Sequence, residues 1–414
     1  MAQALAGFRI LDFTHVLSGP VATHLLALHG AEVVKVEPAE GDAMRHYGGN
    51  GPPAADAVGA SPSFRSFNAG KRSIVLDLKD PRHLAAAKKL VASADVVVEN
   101  FRAGVMDRLG LGYDTCRALR PGIVFCSISG FGQTGPLRHN AALDQIIQSV
   151  SGLMTLSGEP GSPSMRVGFP IVDTFTGTTA AMAIVMALLR RERSGEGQFI
   201  DVAMLDAAVA MMVSVAGPFL LAGVRPAKTG NLGYSRSATA DTFPTMDGEL
   251  TLGVTRQDQF ATLCRALGRE DLLADPSFAD KWLRQTHRAA LRAEIVAALA
   301  ARSAIDWEQA LGAAGLAAAA VRDLPEALAM PHLREREAVL PLDGAGPAGM
   351  PAAVGAGFRC GEDGAAVRAP APGLGAHTHE ILAELGYDDA AIAALLEPAA
   401  GAATPKTTTA ATTA

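Results

Sequence analysis

Cysteine is scarce in this chain: Cys116, Cys126, Cys264 and Cys360 are the four present in 414 residues. No two form a CxxC pair, so zinc-ribbon and redox-motif readings fail and no metal is expected. Thiols spaced this widely suit a reducing compartment, and a cytoplasmic location is expected. Aromatic residues are few, 5% against 49% hydrophobic overall, so the core must be aliphatic and closely packed. No charge sign dominates. The 36 basic and 42 acidic residues give a net charge of −6, without the basic face that a nucleic-acid partner requires. A long uninterrupted apolar run is also missing. The longest stretch, near 175–190, is broken by Thr and Gly and ends at Arg190–Arg193, so it reads as too short and too polar for a membrane span. The first residues, MAQALAGFRILDF, do not read as a signal peptide.

Three common ligand-motif readings fail. There is no GxGxxG after the first strand; the loop there offers Ser18-Gly19-Pro20, where proline removes a backbone donor that a pyrophosphate needs. Glu37 stands where a dinucleotide fold places a ribose-binding acid, but without the glycines NAD and FAD are not expected. No GxxxxGK[ST] and no GxSxG occur, so neither a phosphate loop nor a serine-hydrolase elbow is supported.

What is present is an alternation of short apolar runs with helix-like segments. Strands are expected at Phe8–Phe13, Glu32–Glu37, Ser73–Leu78, Asp95–Glu99 and Ile123–Ile128. Helices are expected at Pro20–His29, ended by Gly30, at Pro81–Ala92, and through 103–119. Gly49–Pro62 reads as a surface loop. A helix from about Thr174 to Arg193, a strand Gln198–Val202 and a long Ala/Met-rich helix to about Leu221 follow. Near-continuous Val/Ile/Leu strands separated by helices imply a parallel sheet covered on both faces, a doubly wound α/β fold. Beyond a linker at Gly223–Ser237, Asp241–Val254 reads as a hairpin turning at Asp247–Gly248. The expected organisation is a large domain from residues 1–222, a linker and small domain over 223–334, a return to the large domain over 335–397, and a disordered tail from 398.

In open α/β sheets ligands bind beyond the carboxyl ends of the strands, so chemistry is sought in the loops at 14–20, 37–38, 100–102 and 129–132. Asp173 lies between a short apolar segment and a long helix. It reads as an N-cap, a position where the helix dipole favours the ionised form that a nucleophilic carboxylate needs. His15 is either a base or a structural loop histidine. His139, beside Arg138, reads as a solvated surface residue, and Asp144 as an exposed or capping residue.

Together these segments resemble family III CoA-transferases, the CaiB/BaiF family. The carriers are LAGFRILDFTHVLSGPVATHLLALHGAEVVKVEPAEGD at 5–42, FNAGKRSIVLDLKD at 67–80, ADVVVENFRAGVMDRLGLGYD at 94–114 and SGFGQTGP at 129–136. The segment around Asp173, RERSGEGQFIDVAMLDA at 191–207 and PGLGAHTHEILAELGY at 372–387 complete them. The resemblance implies an intertwined homodimer with a Rossmann-like domain built from both chain ends and a small middle domain. It places the catalytic aspartate on Asp173 and a second acidic position on Asp144. It places CoA contacts on Val16, Leu76, Lys79, Asn100, Phe101 and Arg108, with His15 and Lys71-Arg72 in the same motif segments.

The resemblance further implies acyl-CoA and a small carboxylic acid as substrates, with no bound cofactor and no membrane or nucleic-acid partner. The chain departs from the pattern in three places. Pro38 replaces an arginine, leaving Arg45 as the candidate substitute; Leu17 replaces a glutamine of formyl-CoA transferase; and that enzyme's glycine-rich loop is missing around 241–260. A substrate pair other than formate and oxalate is therefore expected. Arg138, Arg166 and Arg236 are candidates for holding a second substrate carboxylate. The alternative within the fold is a 2-methylacyl-CoA racemase, but its His–Asp pair reads Leu143-Asp144 here, so one proton carrier is missing. A non-catalytic CoA-binding protein is the other alternative.

Overall fold

The computed structural model describes residues 3–47, 60–340 and 353–397. The described residues form two compact units, one drawn from Met1–Ser151, Gly168–Val213 and His332–Ala414, the other from Gly152–Val167 and Ser214–Pro331. The segment 152–167, which the sequence left in the large domain, joins the second unit.

The first unit is a six-stranded, wholly parallel sheet. In chain order its elements are β1 (Arg9–Asp12), α1 (Ser18–Leu28), β2 (Glu32–Glu37), α2 (Pro62–Ser66), β3 (Arg72–Val75), α3 (Pro81–Ser93) and β4 (Val96–Glu99). Then come α4 (Val105–Arg108), α5 (Tyr113–Leu119), β5 (Val124–Ser129), α6 (Asp144–Val150), α7 (Ile171–Ser194), β6 (Gln198–Ala203) and α8 (Met204–Met211). The strand order is β3-β2-β1-β4-β5-β6. The order reverses between β1 and β4, and a crevice opens at that point beyond the carboxyl ends of the strands.

Alternation along the strands feeds two cores. Leu11, Phe13, Val34, Val36 and Ile74 point to one face, where they meet Leu90 of α3 and Ile381, Leu382, Ile392 and Leu395 of the C-terminal helices Thr378–Glu384 and Asp389–Leu396. Ile10, Val33, Val96 and Val98 point to the other face, against Ala22 and Leu26 of α1 and Ala180, Ile184 and Leu188 of α7. α7 is 24 residues long and apolar enough to cross a bilayer, more so than the interrupted run suggested. Here it is a core helix that packs against α1. Gly177 allows the approach: a Cβ there would lie 2.5 Å from the Ser18 carbonyl oxygen and 2.9 Å from Val21 Cβ. α3 starts on a local signal, with Asp80 accepting the Arg82 N–H at 2.8 Å and Pro81 at the first helical position.

Two helix readings are corrected. The helix expected to run on to Leu221 is interrupted at Met212, and α9 (Val213–Ala222) contains Pro218, which has no N–H to bond Ser214. Asp173 is not the N-cap of α7; Pro170 is, and Asp173 is the third helical residue. The loop read at Gly49–Pro62 lies outside the described residues up to 59, and Ser61 and Pro62 start α2. The tail from 398 also lies outside them.

The second unit is a three-stranded antiparallel sheet with helices. β7 (Thr242–Pro244) and β8 (Glu249–Leu252) form the hairpin, closed by Thr245 N–H to Gly248 O at 2.8 Å, and β9 (Ala318–Ala320) pairs with β8. Phe243, Leu250, Phe260, Leu291, Trp307 and Leu311 fill its core.

Candidate active site

The loop that leaves β1 is held from two sides. Asn100, just past β4, accepts the His15 N–H at 2.8 Å and donates to the His15 carbonyl at 2.8 Å. Opposite, Asp42 accepts the Val16 N–H at 3.2 Å, and buried Lys35 donates to the Thr14 carbonyl at 2.6 Å. Val16 is left in the left-handed region at φ +68°, a conformation costing a β-branched residue about 1–3 kcal/mol. The turn delivers Ser18 to the start of α1, where it lines the same cavity as the Asp173 carboxyl and favours its ionised form.

Asp173 lines a cavity of about 170 Å³ with Val16, Ser18, Asn100, Phe101, Arg102, Arg138, Leu143 and Met204. Burial, and then the nearby Asp144 carboxylate, push its pKa up to about 7; the Ser18 hydrogen bond acts in the opposite direction. The sequence reading, in which the helix dipole holds Asp173 ionised, is therefore corrected. The reason lies in who takes the donors of α7. Asp144 Oδ2 accepts the Val172 N–H at 2.9 Å and the Asp173 N–H at 3.2 Å, and its Oδ1 accepts from Gln148 Nε2 at 2.6 Å. The positive end of α7 is thus matched by Asp144 rather than by Asp173. Asp144 is itself the first residue of α6, so a carboxylate carried by one helix caps the start of another and fixes the backbone that carries Asp173.

A poorly ionised carboxyl in a small cavity at the reversal point of a parallel sheet is suited to nucleophilic attack once it sheds its proton. The comparisons with known proteins decide the family. A family model described as CoA-transferase family III matches residues 5–378. The chain belongs to that family. It is 36% identical over 383 residues to a succinate–glutarate CoA-transferase of Agrobacterium fabrum, covering 92% of this chain and 95% of that one. It is also 36% identical over 348 residues to an acetyl-CoA:oxalate CoA-transferase of Acetobacter aceti, covering 83% and 87%. Among solved structures, a CaiB/BaiF family protein from Brucella suis matches with a TM-score of 0.85 at 32% identity, covering 93% of this chain and all of that one.

The transferase gathers some of the expected residues and disperses others. Asp173, Val16, Asn100 and Phe101 share the small cavity, but the Asn100 amide is already engaged by the loop at His15. His15 does not line the cavity. It packs 5.5 Å from the Phe101 ring, and burial, then Lys35, lower its pKa. Arg108 lines a second, larger cavity of about 430 Å³ that shares Arg138 with the first. Lys79 is exposed in the turn before α3. The Leu76 side chain is in the core, so only its backbone is available to a ligand. Arg72 is held by Glu32 at 2.7 Å and Glu384 at 2.8 Å, and neighbouring Lys71 is buried on Asp12 at 2.9 Å. Arg45 does not stand in for the missing arginine: it is buried, forked onto Glu37 at 2.7 Å and stacked on Phe64. That pairing also removes Glu37 as a ribose ligand. Leu143, in the place of the racemase histidine, faces the cavity.

Sequence reasoning passed over Lys35 and Asp42, which brace the loop. The signal was present in the strand EVVKVE, where a lysine interrupts a run otherwise suited to complete burial.

Proposed function

We propose that this transferase moves CoA from an acyl-CoA donor to a small carboxylic acid through an aspartyl-CoA intermediate on Asp173. The observation that carries the reading is the Asp173 carboxyl, set in a cavity between the loops that follow β1 and β4 and oriented by Ser18 and Asp144. A carboxylate oxygen of Asp173 attacks the thioester carbonyl, the C–S bond breaks, and a mixed anhydride and CoA thiolate result. The thiolate attacks the aspartyl carbonyl, expelling the donor acid as its carboxylate and leaving aspartyl-CoA. The acceptor carboxylate attacks that thioester to give a second anhydride and thiolate. The thiolate then takes the acceptor's acyl carbonyl and returns Asp173. The acyl bond energy stays in anhydrides and thioesters throughout, so no phosphate donor or metal enters the balance.

The relatives named for succinate, glutarate and oxalate support dicarboxylates as the acceptor class, and Arg138 at the cavity edge supplies a cation for the second carboxylate. Leu143 can neither take nor give a proton, which disfavours racemisation. α7 exposes Met182, Val185, Met186 and Leu189 along one side, an apolar face that supports a homodimer. The free thiols Cys116, Cys126 and Cys264, all buried, support a cytoplasmic location.

The test is a panel of acyl-CoA donors with isotope-labelled free acids, read by mass spectrometry, with hydroxylamine added to trap Asp173 as a hydroxamate. Label is expected in the CoA ester pool, and Asp173→Asn is expected to reduce transfer by at least about a thousandfold. Transfer by the variant within about tenfold of wild type, or no hydroxamate at Asp173 during turnover, refutes the mechanism.

A further inference from the structure

A set of buried charges lies beneath the Val16 turn, and the aspartyl chemistry makes no use of it. Lys35 and Asp42 pair at 3.1 Å with no exposed side-chain surface on either partner. Asp42 accepts the Val16 N–H on both oxygens, at 3.2 and 3.3 Å, and Lys35 Nζ donates to the Thr14 carbonyl two residues earlier. Asp42 is anchored in turn, donating its N–H to Glu37 Oε2 at 3.1 Å and accepting from the Met44 N–H at 3.0 Å. A buried ion pair is a poor source of stability compared with apolar residues of the same volume. Its presence is better explained by what it orients. What it orients is a valine at φ +68°, where the branched side chain crowds its own backbone. Freed from Asp42, Val16 relaxes to negative φ, and the chain beyond it swings away, taking Ser18 from Asp173.

We propose that Asp42, held by Lys35, is a positioning residue for the acyl-CoA site: it keeps Val16 left-handed so that the 14–18 loop forms one wall of the cavity and presents Ser18 to Asp173. The proposal rests on the reading of that cavity as the acyl-CoA site.

The test is a cycle on the full-length protein with Asp42→Ala, Val16→Gly and the double variant. CoA affinity is read by calorimetry, and kcat and KM by transfer. On the wild-type background Asp42→Ala is expected to raise the acyl-CoA KM and the CoA Kd about tenfold, with a smaller fall in kcat. On the Val16→Gly background the same change is expected to cost less than about twofold, because glycine takes a positive φ without side-chain crowding. An equal cost on both backgrounds, or no cost on either, overturns the proposal. Should Asp42→Ala fail to fold, melting of Val16→Gly against Val16→Ala decides. The glycine variant is expected to melt higher because alanine retains the crowded Cβ; a lower melt overturns the proposal. Failure of the wild type to transfer CoA counts against the proposed function alone, since the calorimetric arm still reads the clamp.

Discussion

Consider Asp144 replaced by asparagine. The side chain keeps its shape, and its remaining oxygen can still accept the Val172 and Asp173 N–H groups; Gln148 need only turn its amide. What disappears is a negative charge beside Asp173. The rise of the Asp173 pKa from 3.8 to about 7 corresponds to roughly 4 kcal/mol against the ionised form, with burial the larger cause and Asp144 the second. Losing the second cause alone returns less than half, so the Asp173 titration should fall by on the order of one pH unit. At pH 6 that raises the ionised fraction from roughly one tenth to about one half, about fivefold. The same change costs the start of α7 about 0.5–1 kcal/mol, because a neutral cap suits the helix dipole less well. The assay is the pH dependence of kcat/KM, whose acid limb reports the free enzyme's essential base. The wild type is expected to turn near pH 7 and the variant about one unit lower, with only a small drop in melting temperature. An unmoved limb, or one displaced upward, refutes the coupling of the two carboxyls.

Three further outcomes follow from packing, titration and assembly. Gly177→Ala should destabilise by about 1–3 kcal/mol despite alanine's helix propensity, since the new Cβ meets the Ser18 carbonyl at 2.5 Å; denaturant melts check it. His24 is buried, with burial and then Lys71 holding its pKa at about 4, so the folded protein binds fewer protons than the unfolded chain between pH 6.5 and 4. Its contribution is present above pH 6.5 and lost on acidification, about 3 kcal/mol in all, so His24→Gln should show a shallower loss of melting temperature from pH 7 to 5 than wild type, and equal slopes would contradict this. Met186→Glu on the exposed side of α7 should turn the proposed dimer into monomer in sedimentation; an unchanged sedimentation coefficient would exclude this face from the interface.

Much of the first unit is readable from local pattern. Glu32–Glu37 is flanked by Gly30 and Pro38, its apolar side chains serve both sheet faces, and the structure places it at those bounds. The membership of 152–167 in the second unit is not readable, because that segment has neither a strand nor a helical period and is placed by distant partners. The same holds for the site. Asp173 stands out through its neighbours in sequence, but its protonation depends on Asp144, twenty-nine positions away, and on a hydroxyl from α1. Asn100 attracts notice as a ligand contact, whereas its amide is spent on the backbone of a loop that follows another strand.

One face of the parallel sheet is completed only by Ile381, Leu382, Ile392 and Leu395, which lie near the end of the described chain. During synthesis Leu11, Val34 and Ile74 are therefore made first and fully covered last, α3 supplying only part of the layer. The second unit, whose core draws on residues 238–316, has all its parts available while that face is still incompletely covered. Nascent chains of this protein thus carry a partly open apolar sheet face for most of their time on the ribosome, and a stop codon before residue 380 leaves it so permanently. Such truncated products are substrates for chaperones and proteases rather than smaller working enzymes.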